Sequence, residues 1–357
     1  MKAILKPAAV GAALACLLAI PAGAGAEVPA TGAPAPATTP TTTPTTPAPP
    51  PASGRIRLVL QGVGGKPLFA GVGRRIVVRA IVTPYVAGQS VQLSVTRDGR
   101  RILARTVAVL AGADGTGQFR VGFASGGAGV LQVQASHAAT ATQLAFAGRS
   151  ADVRAVNENL GVGAVGASVR LLQSELAALH YAVPVNGVLD EATGRALIAY
   201  RKMTGLERIA YSGGQVFSRL ARGEGAFRVR YRGDGRHVEA DLTRQVLAEI
   251  EPGGRVRAIY TMSSGKPSTP TVIGRFRVYR KEPGINSHGM VDSSYFISGY
   301  AIHGYAEVPT YAASHGCLRV PIPNAAEIYA WVGEGTPVDV YFEDGAGSSR
   351  VRSNVGP

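Results

Sequence analysis

One short stretch of this chain has residue types and spacing suited to covalent chemistry. Ala301-Ile302-His303-Gly304 is followed, with ten residues between His303 and Ser314, by Ser314-His315-Gly316-Cys317-Leu318-Arg319. A thiolate is a strong nucleophile, whereas a free thiol is mostly protonated near neutral pH. A neighbouring imidazole can take that proton and later return it to a leaving amine. Gly316 would let backbone N–H groups approach a tetrahedral oxyanion closely. A lone cysteine beside histidines in a glycine-containing turn therefore reads as acyl transfer through a thioester.

The rest of the chain supports keeping that thiol reactive. There are two cysteines, Cys16 and Cys317. Lys2 and Lys6 precede an apolar run from Ala8 to Ile20, then Pro21 and Ala24-Gly25-Ala26, the pattern of a secretory signal peptide over residues 1–26. Ala13-Leu14-Ala15 before Cys16 is a poor lipobox. Cleavage after Ala26 leaves Cys317 with no intrachain disulfide partner. An idle thiol outside the cytosol is exposed to oxidation, so a role is expected for it. The expected location is the periplasm or cell wall.

The elements that must position these residues follow from composition. The chain has 357 residues, 46 glycines and 23 prolines, with 17% charged and 6% aromatic residues. That profile excludes a coiled coil or one large helical bundle and favours turn-rich β modules. The formal net charge of +14 calls for an anionic partner. Export argues against nucleic acid and leaves acidic wall polymers as candidates.

Residues 27–54 are almost all Pro, Thr and Ala, an expected extended tether reaching roughly 80 Å. From Arg55 to Val156 the pattern has period two, as in Val91, Leu93 and Val95, with an Asp98-Gly99 hairpin turn. About seven such runs, near 55–60, 75–82, 90–97, 101–110, 117–124, 129–136 and 142–153, predict an immunoglobulin-like sandwich over 55–156. Val169, Leu172, Leu176 and Leu179 have helical spacing after Ser168, a predicted N-cap. Asp190 is predicted to cap a second helix through Tyr200. The chain then returns to β from Phe227, with a short helix expected from Asn324 as its cap and a flexible tail over 344–357. The predicted fold class is mainly β and multidomain, with a small α domain.

With these residues on the page, two resemblances can be stated. His303 followed by Ser314-His315-Gly316-Cys317 resembles the L,D-transpeptidase catalytic domain of the YkuD type, over about 115 residues of 227–343. Supporting matches are Val238-Glu239-Ala240-Asp241-Leu242, Ser264-Gly265, Thr269-Pro270-Thr271 and Gly274-Arg275-Phe276. The resemblance implies Cys317 as nucleophile and His303 as proton donor and acceptor, with the Gly304 carbonyl holding the imidazole tautomer. It places Ser314, His315 and Gly316 at the acyl pocket, with backbone N–H groups around Cys317 as oxyanion donors. Arg319 would pair with a stem-peptide carboxylate, and Tyr295 and Tyr305 would line the groove or simply pack. Residues 160–222 resemble a three-helix peptidoglycan-binding domain through Leu172-Gln173, Asn186-Gly187, Asp190, Thr193 and Gly205-Leu206, although Tyr200-Arg201 departs from that family's Phe-Gln. The implied activity is an L,D-transpeptidase that joins peptidoglycan stem peptides, with L,D-carboxypeptidase action if water is the acceptor, and with no cofactor.

Two other classes compete. His288, His303, His315 and Cys317 could supply a zinc site, but no H-E-x-x-H occurs and no carboxylate lies at ligand spacing. Alternatively the chain is a non-catalytic wall-binding protein. Ser287-His288-Gly289 echoes the cysteine motif with Met290 in place of Cys, and is read as a loop near the cleft. Arg275, Arg277, Arg280 and Lys281 either attract acidic stem peptides or form a solvated face.

Overall fold

The structure, a computed structural model, describes residues 49–343. The expected signal peptide, the tether up to Ala48 and the tail 344–357 lie outside the described residues. Among the described residues no helix is long and apolar enough to cross a membrane.

The first module runs β1 (Arg55–Gln61), β2 (Phe69–Gly71), β3 (Arg75–Thr83), β4 (Ser90–Arg97), β5 (Arg100–Ala108), β6 (Leu110–Ala111), β7 (Gly117–Ala124), β8 (Gly129–His137), β9 (Phe146–Arg149) and β10 (Val153–Val156). One sheet has the order β1-β3-β7-β6; the other has β2-β10-β8-β4-β5, with β9 also on β8. The period-two residues Val78, Val82, Val91, Leu93, Val95, Phe119, Val121 and Val133 meet between the sheets in one core. Alternation fixes the register here, because a one-residue slip would turn each inward face to solvent. The expected seven runs are outnumbered. Ser150-Ala151-Asp152 splits the run 142–153 into β9 and β10, and β2 is too short and too buried to alternate. The tether's last residues are also tied down: Ala52 bridges Gln143, and its N–H donates to the Thr142 carbonyl at 2.9 Å.

Three helices follow: α1 (Ala167–Ala178), α2 (Glu191–Met203) and α3 (Gly214–Ala221). Asp190 caps α2 as predicted, accepting from the Thr193 N–H. Ser168 does not cap α1. Gly166 holds that position at φ +106°, and the Ser168 hydroxyl instead accepts from the Asn157 N–H just after β10. Buried Gln173 gathers Asn186, Gly187 and Thr193 around it. Its amide nitrogen lies 2.8–2.9 Å from three acceptors, Asn186 Oδ1, the Val188 carbonyl and Thr193 Oγ1, among which its two N–H groups are shared, and its oxygen accepts from the Gly187 N–H at 2.7 Å. One side chain thereby satisfies the loop between two helices, as a buried polar group must. Tyr200 and Arg201 are structural: Tyr200 is fully buried, and Arg201 donates to the Glu207 and Tyr211 carbonyls. Leu172, Leu176 and Leu197 are fully buried, each stabilising by about 1.5–3 kcal/mol. Their core does not stop at the helices; it runs on into Val246, Ala248, Ile250 and Ile259 of the next module.

That module runs β11 (His237–Asp241), β12 (Val246–Glu251), β13 (Arg255–Thr261), β14 (Gly274–Arg277), β15 (Arg280–Ile285), β16 (Val291–Ile297), β17 (Tyr300–Tyr305), β18 (Leu318–Pro321), α4 (Ile322–Trp331) and β19 (Pro337–Tyr341). A five-stranded sheet has the order β13-β12-β11-β19-β14, and a four-stranded sheet has β15-β16-β17-β18. Their facing residues share one core with α4, including Leu247, Phe276, Phe296, Ile302, Leu318, Val320 and Ile328. Asn324 is not the cap of α4. The helix starts after Pro321, with Pro323 pre-setting its first turn, and Asn324 Oδ1 accepts from Arg195 Nε of α2 at 3.2 Å. The half-charged β15 and the short β18 show no alternation strong enough to read from sequence.

Candidate active site

Everything at the site depends on one strand pairing. β17 and β18 run parallel with Ile302 opposite Leu318 and His303 opposite Arg319. Side chains alternate across a strand. Ile302, Leu318 and Val320 therefore fill the core, and His303 and Arg319 share the other face. One step back, Cys317 packs against Ala301 on that same face, with Met290 and Tyr295 beside it.

His303 is only 3% exposed. Its Nδ1 lies 2.9 Å from the Gly304 carbonyl, which can only accept, so Nδ1 carries the proton and Nε2 keeps a free lone pair. Burial pulls the imidazole down to about 4; the Gly304 bond opposes this and the Arg319 charge adds to it. The ring is neutral at neutral pH, as a base must be. Burial pushes the half-buried Cys317 thiol above its ordinary value, while the Ala301 amide and the Arg319 charge favour the thiolate. Sγ sits 3.7 Å from the Gly299 carbonyl. At rest the thiol and the imidazole are thus both neutral.

The loop carrying the thiol is held by many bonds. Ser314 is wholly buried, and its hydroxyl donates to the Cys317 carbonyl at 2.6 Å and accepts from the Gly316 N–H at 3.0 Å. Ser314 therefore shapes the loop, and the Gly316 N–H is already committed. Among the described residues the Cys317 N–H has no hydrogen-bond partner. Thr269 Oγ1 donates to the Ser314 carbonyl and Thr271 Oγ1 to the Gly316 carbonyl. The Ser314 N–H donates to the Ser264 carbonyl. These contacts give a physical reason for Ser264-Gly265 and Thr269-Pro270-Thr271 to accompany the cysteine motif.

Gly316 is a position that only glycine fits. Its φ is +120°, and an added Cβ would lie 1.9 Å from Tyr300 Cε1. Gly316→Ala is expected to cut the acylation rate at least ~100-fold, since misplacing a reacting group by about 1 Å costs that much. Adding Tyr300→Ala relieves the clash but not the backbone strain, so single-turnover acylation of the double variant should recover only in part.

Behind the loop lies a group that the sequence did not single out. Lys202 of α2 is buried, and its Nζ donates to the Gln245 carbonyl, Thr261 Oγ1 and the Met262 carbonyl at 2.7–2.9 Å. Burial pulls its pKa down to about 7. Gln245 in turn exchanges two side-chain bonds with Ser264. Lys202→Met should destabilise the protein by about 2–4 kcal/mol, because three buried acceptors lose their donor. A urea midpoint that falls at unchanged slope would show this.

Residues 235–340 match the family model of the L,D-transpeptidase catalytic domain, YkuD. This segment is a YkuD L,D-transpeptidase catalytic domain. Among solved structures, the chain is similar to an L,D-transpeptidase from Xylanimonas cellulosilytica at 34% identity, over 52% of this chain and 98% of that one, with a TM-score of 0.47. A second, from Stackebrandtia nassauensis, has 21% identity over 52% and 95%, with a TM-score of 0.34. A mutant L,D-transpeptidase from Enterococcus faecium has 28% identity over 30% and 50%, with a TM-score of 0.27. No curated protein matches the chain.

The other expected residues of the YkuD domain take varied places. Arg319 lies with its guanidinium 4.0 Å from the Tyr305 ring centre, and among the described residues no carboxylate pairs with it. Tyr305 meets His303 edge to face and lines a cavity of about 480 Å³ between the YkuD domain and α2. Tyr295 is buried, with its hydroxyl donating to Glu282 at 2.7 Å, so it walls the thiol rather than reaching into a groove. His315 is exposed beside Lys266. Ser287-His288-Gly289 forms a turn around Asn286, and Gly289 faces the Tyr305 ring. Arg275 pairs with Asp234 and Asp339, Arg277 donates to the Gly335 carbonyl, Arg280 stacks on Tyr295 and Lys281 on Tyr329. Those four cations are engaged within the protein. Among the described residues no three His, Cys, Asp or Glu side chains gather as a metal site.

Proposed function

We propose that this chain is an exported peptidoglycan L,D-transpeptidase whose nucleophile is Cys317 and whose proton carrier is His303. The observation that carries the reading is the β17–β18 register, which puts a thiol and a neutral imidazole with a free Nε2 on one sheet face. Sγ attacks the carbonyl carbon of the L,D amide in a tetrapeptide stem, and its proton passes to Nε2. The Cys317 N–H donates to the oxyanion. Collapse breaks the C–N bond, and Nε2 returns the proton to the departing D-alanine amine. The amine of a neighbouring stem's diamino acid then attacks the thioester and gives its proton to Nε2; the C–S bond breaks, the thiolate takes that proton back from Nε2, and a 3→3 cross-link remains. Water in place of the amine gives L,D-carboxypeptidase action. Arg319, unpaired with any carboxylate in the described chain, holds the stem's own carboxylate.

The remaining segments serve this reaction in the same reading. Residues 1–26 direct export, 27–54 form a tether, 55–156 an immunoglobulin-like sandwich, and 160–222 a peptidoglycan-binding domain that presents glycan to the 227–343 catalytic domain. The test is to incubate the secreted protein with a disaccharide-tetrapeptide and record intact protein mass and muropeptide products. An acyl adduct with a cross-linked dimer supports transpeptidation. Tripeptide alone redirects the assignment to a carboxypeptidase, and absence of any adduct removes the thioester.

A further inference from the structure

Most of the net positive charge of this chain lies in its first module. Residues 55–156 hold twelve arginines and one lysine against three aspartates. On the outer face of the β1-β3-β7-β6 sheet, the ladder sets Arg57 opposite Ile81 and Gln118, and Val59 opposite Arg79, which faces Arg120. Like charges directly opposite each other on neighbouring strands destabilise a sheet. Here the Arg79–Arg120 pair stands with no compensating acid: among the described residues none of Arg57, Arg79 and Arg120 takes part in an ion pair or side-chain hydrogen bond.

The three arginines surround a groove of about 470 Å³ whose remaining walls include Val59, Ile81 and Leu110, all exposed, and no carboxylate. Strands about 4.8 Å apart and residues about 6.8 Å apart along a strand root the three guanidiniums within a short span. Arginine is the side chain that forks onto phosphate oxygens, and exposed aliphatic side chains between the cations suit the carbon segments of a chain molecule. A flat lipid surface would instead favour apolar residues that project from the protein.

We propose that this sheet face is a binding site for a linear phosphodiester polymer, with Arg57, Arg79 and Arg120 on successive phosphates and Val59, Ile81 and Leu110 under the linking carbons. The site is separate from the catalytic face and holds the enzyme on an acidic polymer while the thiol works elsewhere.

The test uses the full chain and a synthetic poly(glycerol phosphate), with affinity measured over a range of salt. The triple variant Arg57→Gln/Arg79→Gln/Arg120→Gln should bind at least ~10-fold more weakly, with a log–log salt slope shallower by about two to three units. Arg100→Gln/Arg101→Gln/Arg105→Gln removes the same charge from the exposed residues of β5 and should stay within ~3-fold of the parent. The groove variant should melt no lower than the parent, because it removes a like-charged pair, and its acylation by a soluble stem peptide should be unchanged. Equal losses in both variants would reduce the effect to overall charge and overturn the site. Full retention by the groove variant would do the same. Tighter binding to anionic vesicles or to duplex DNA than to the polymer would overturn the choice of occupant.

Discussion

Cys317→Ala is expected to abolish acyl-adduct formation and to lower turnover of a tetrapeptide stem by a factor on the order of 10⁴ or more, since in the proposed mechanism the thiol forms the covalent intermediate. The fold should survive. Cys317 is half-buried against Met290, Tyr295 and Ala301, so trimming its sulfur should cost no more than about 1 kcal/mol. Intact-mass spectra and thermal melts of the two proteins separate chemistry from folding. An adduct on the alanine variant would place the nucleophile elsewhere. A variant that still cross-links would leave the chain's activity independent of its free thiol.

His303→Gln should lower the acylation rate by about 10²–10⁴, the usual share of a positioned base. Its signature lies in pH. In the fold the imidazole titrates near 4, against an ordinary value of 6.5, because burial opposes its charge. The unfolded chain therefore takes up this proton first as pH falls. The stability of the native state is full above about pH 6.5 and falls progressively toward pH 4, by about 3 kcal/mol from this group. Glutamine does not titrate, so the variant should lose that slope while losing activity. Chemical denaturation at pH 7 and pH 4.5 checks the sign.

The thiol gives an independent reading of the same site. Because burial raises Cys317 and His303 is uncharged, alkylation by iodoacetamide should keep accelerating through about pH 9. A thiolate–imidazolium pair would instead give a plateau below neutrality. Such a plateau would show that the proton has already moved before substrate arrives.

The residues proposed to react were legible in the sequence because their types are rare and their spacing is short. Cys317, His303 and Gly316 stand out from any background of alternating valines. The two-residue periodicity likewise marked the long strands of the first module, though not β2 or the break between β9 and β10, and Asp190 marked the start of α2. Support was harder to see. Lys202 sits among helical residues as an ordinary cation, and only the fold reveals that its ammonium reaches Gln245 and Met262. Ser314 reads as a pocket residue in the motif, yet its hydroxyl is spent inside the loop. Ser168 and Asn324 have the right type for helix caps, but Gly166 and Pro321 take those positions, and both side chains tie separate elements together. Local propensity names what a residue can do, whereas long-range packing decides which option it takes.

The core that passes from Leu172 and Leu197 through to Val246, Ala248 and Ile259 bears on where this enzyme can be cut. The family-matched segment begins at residue 235, but the shared core predicts that the smallest piece able to fold by itself is larger. A truncated chain starting near Phe227 would present a bare greasy patch on β12 and β13 to water and leave the Gln245 and Met262 carbonyls without their ammonium. Such a fragment should precipitate or swell on the way to folding. Helices and catalytic sheets should melt together in a single calorimetric transition, so heredity and thermodynamics draw the boundary of this domain in different places.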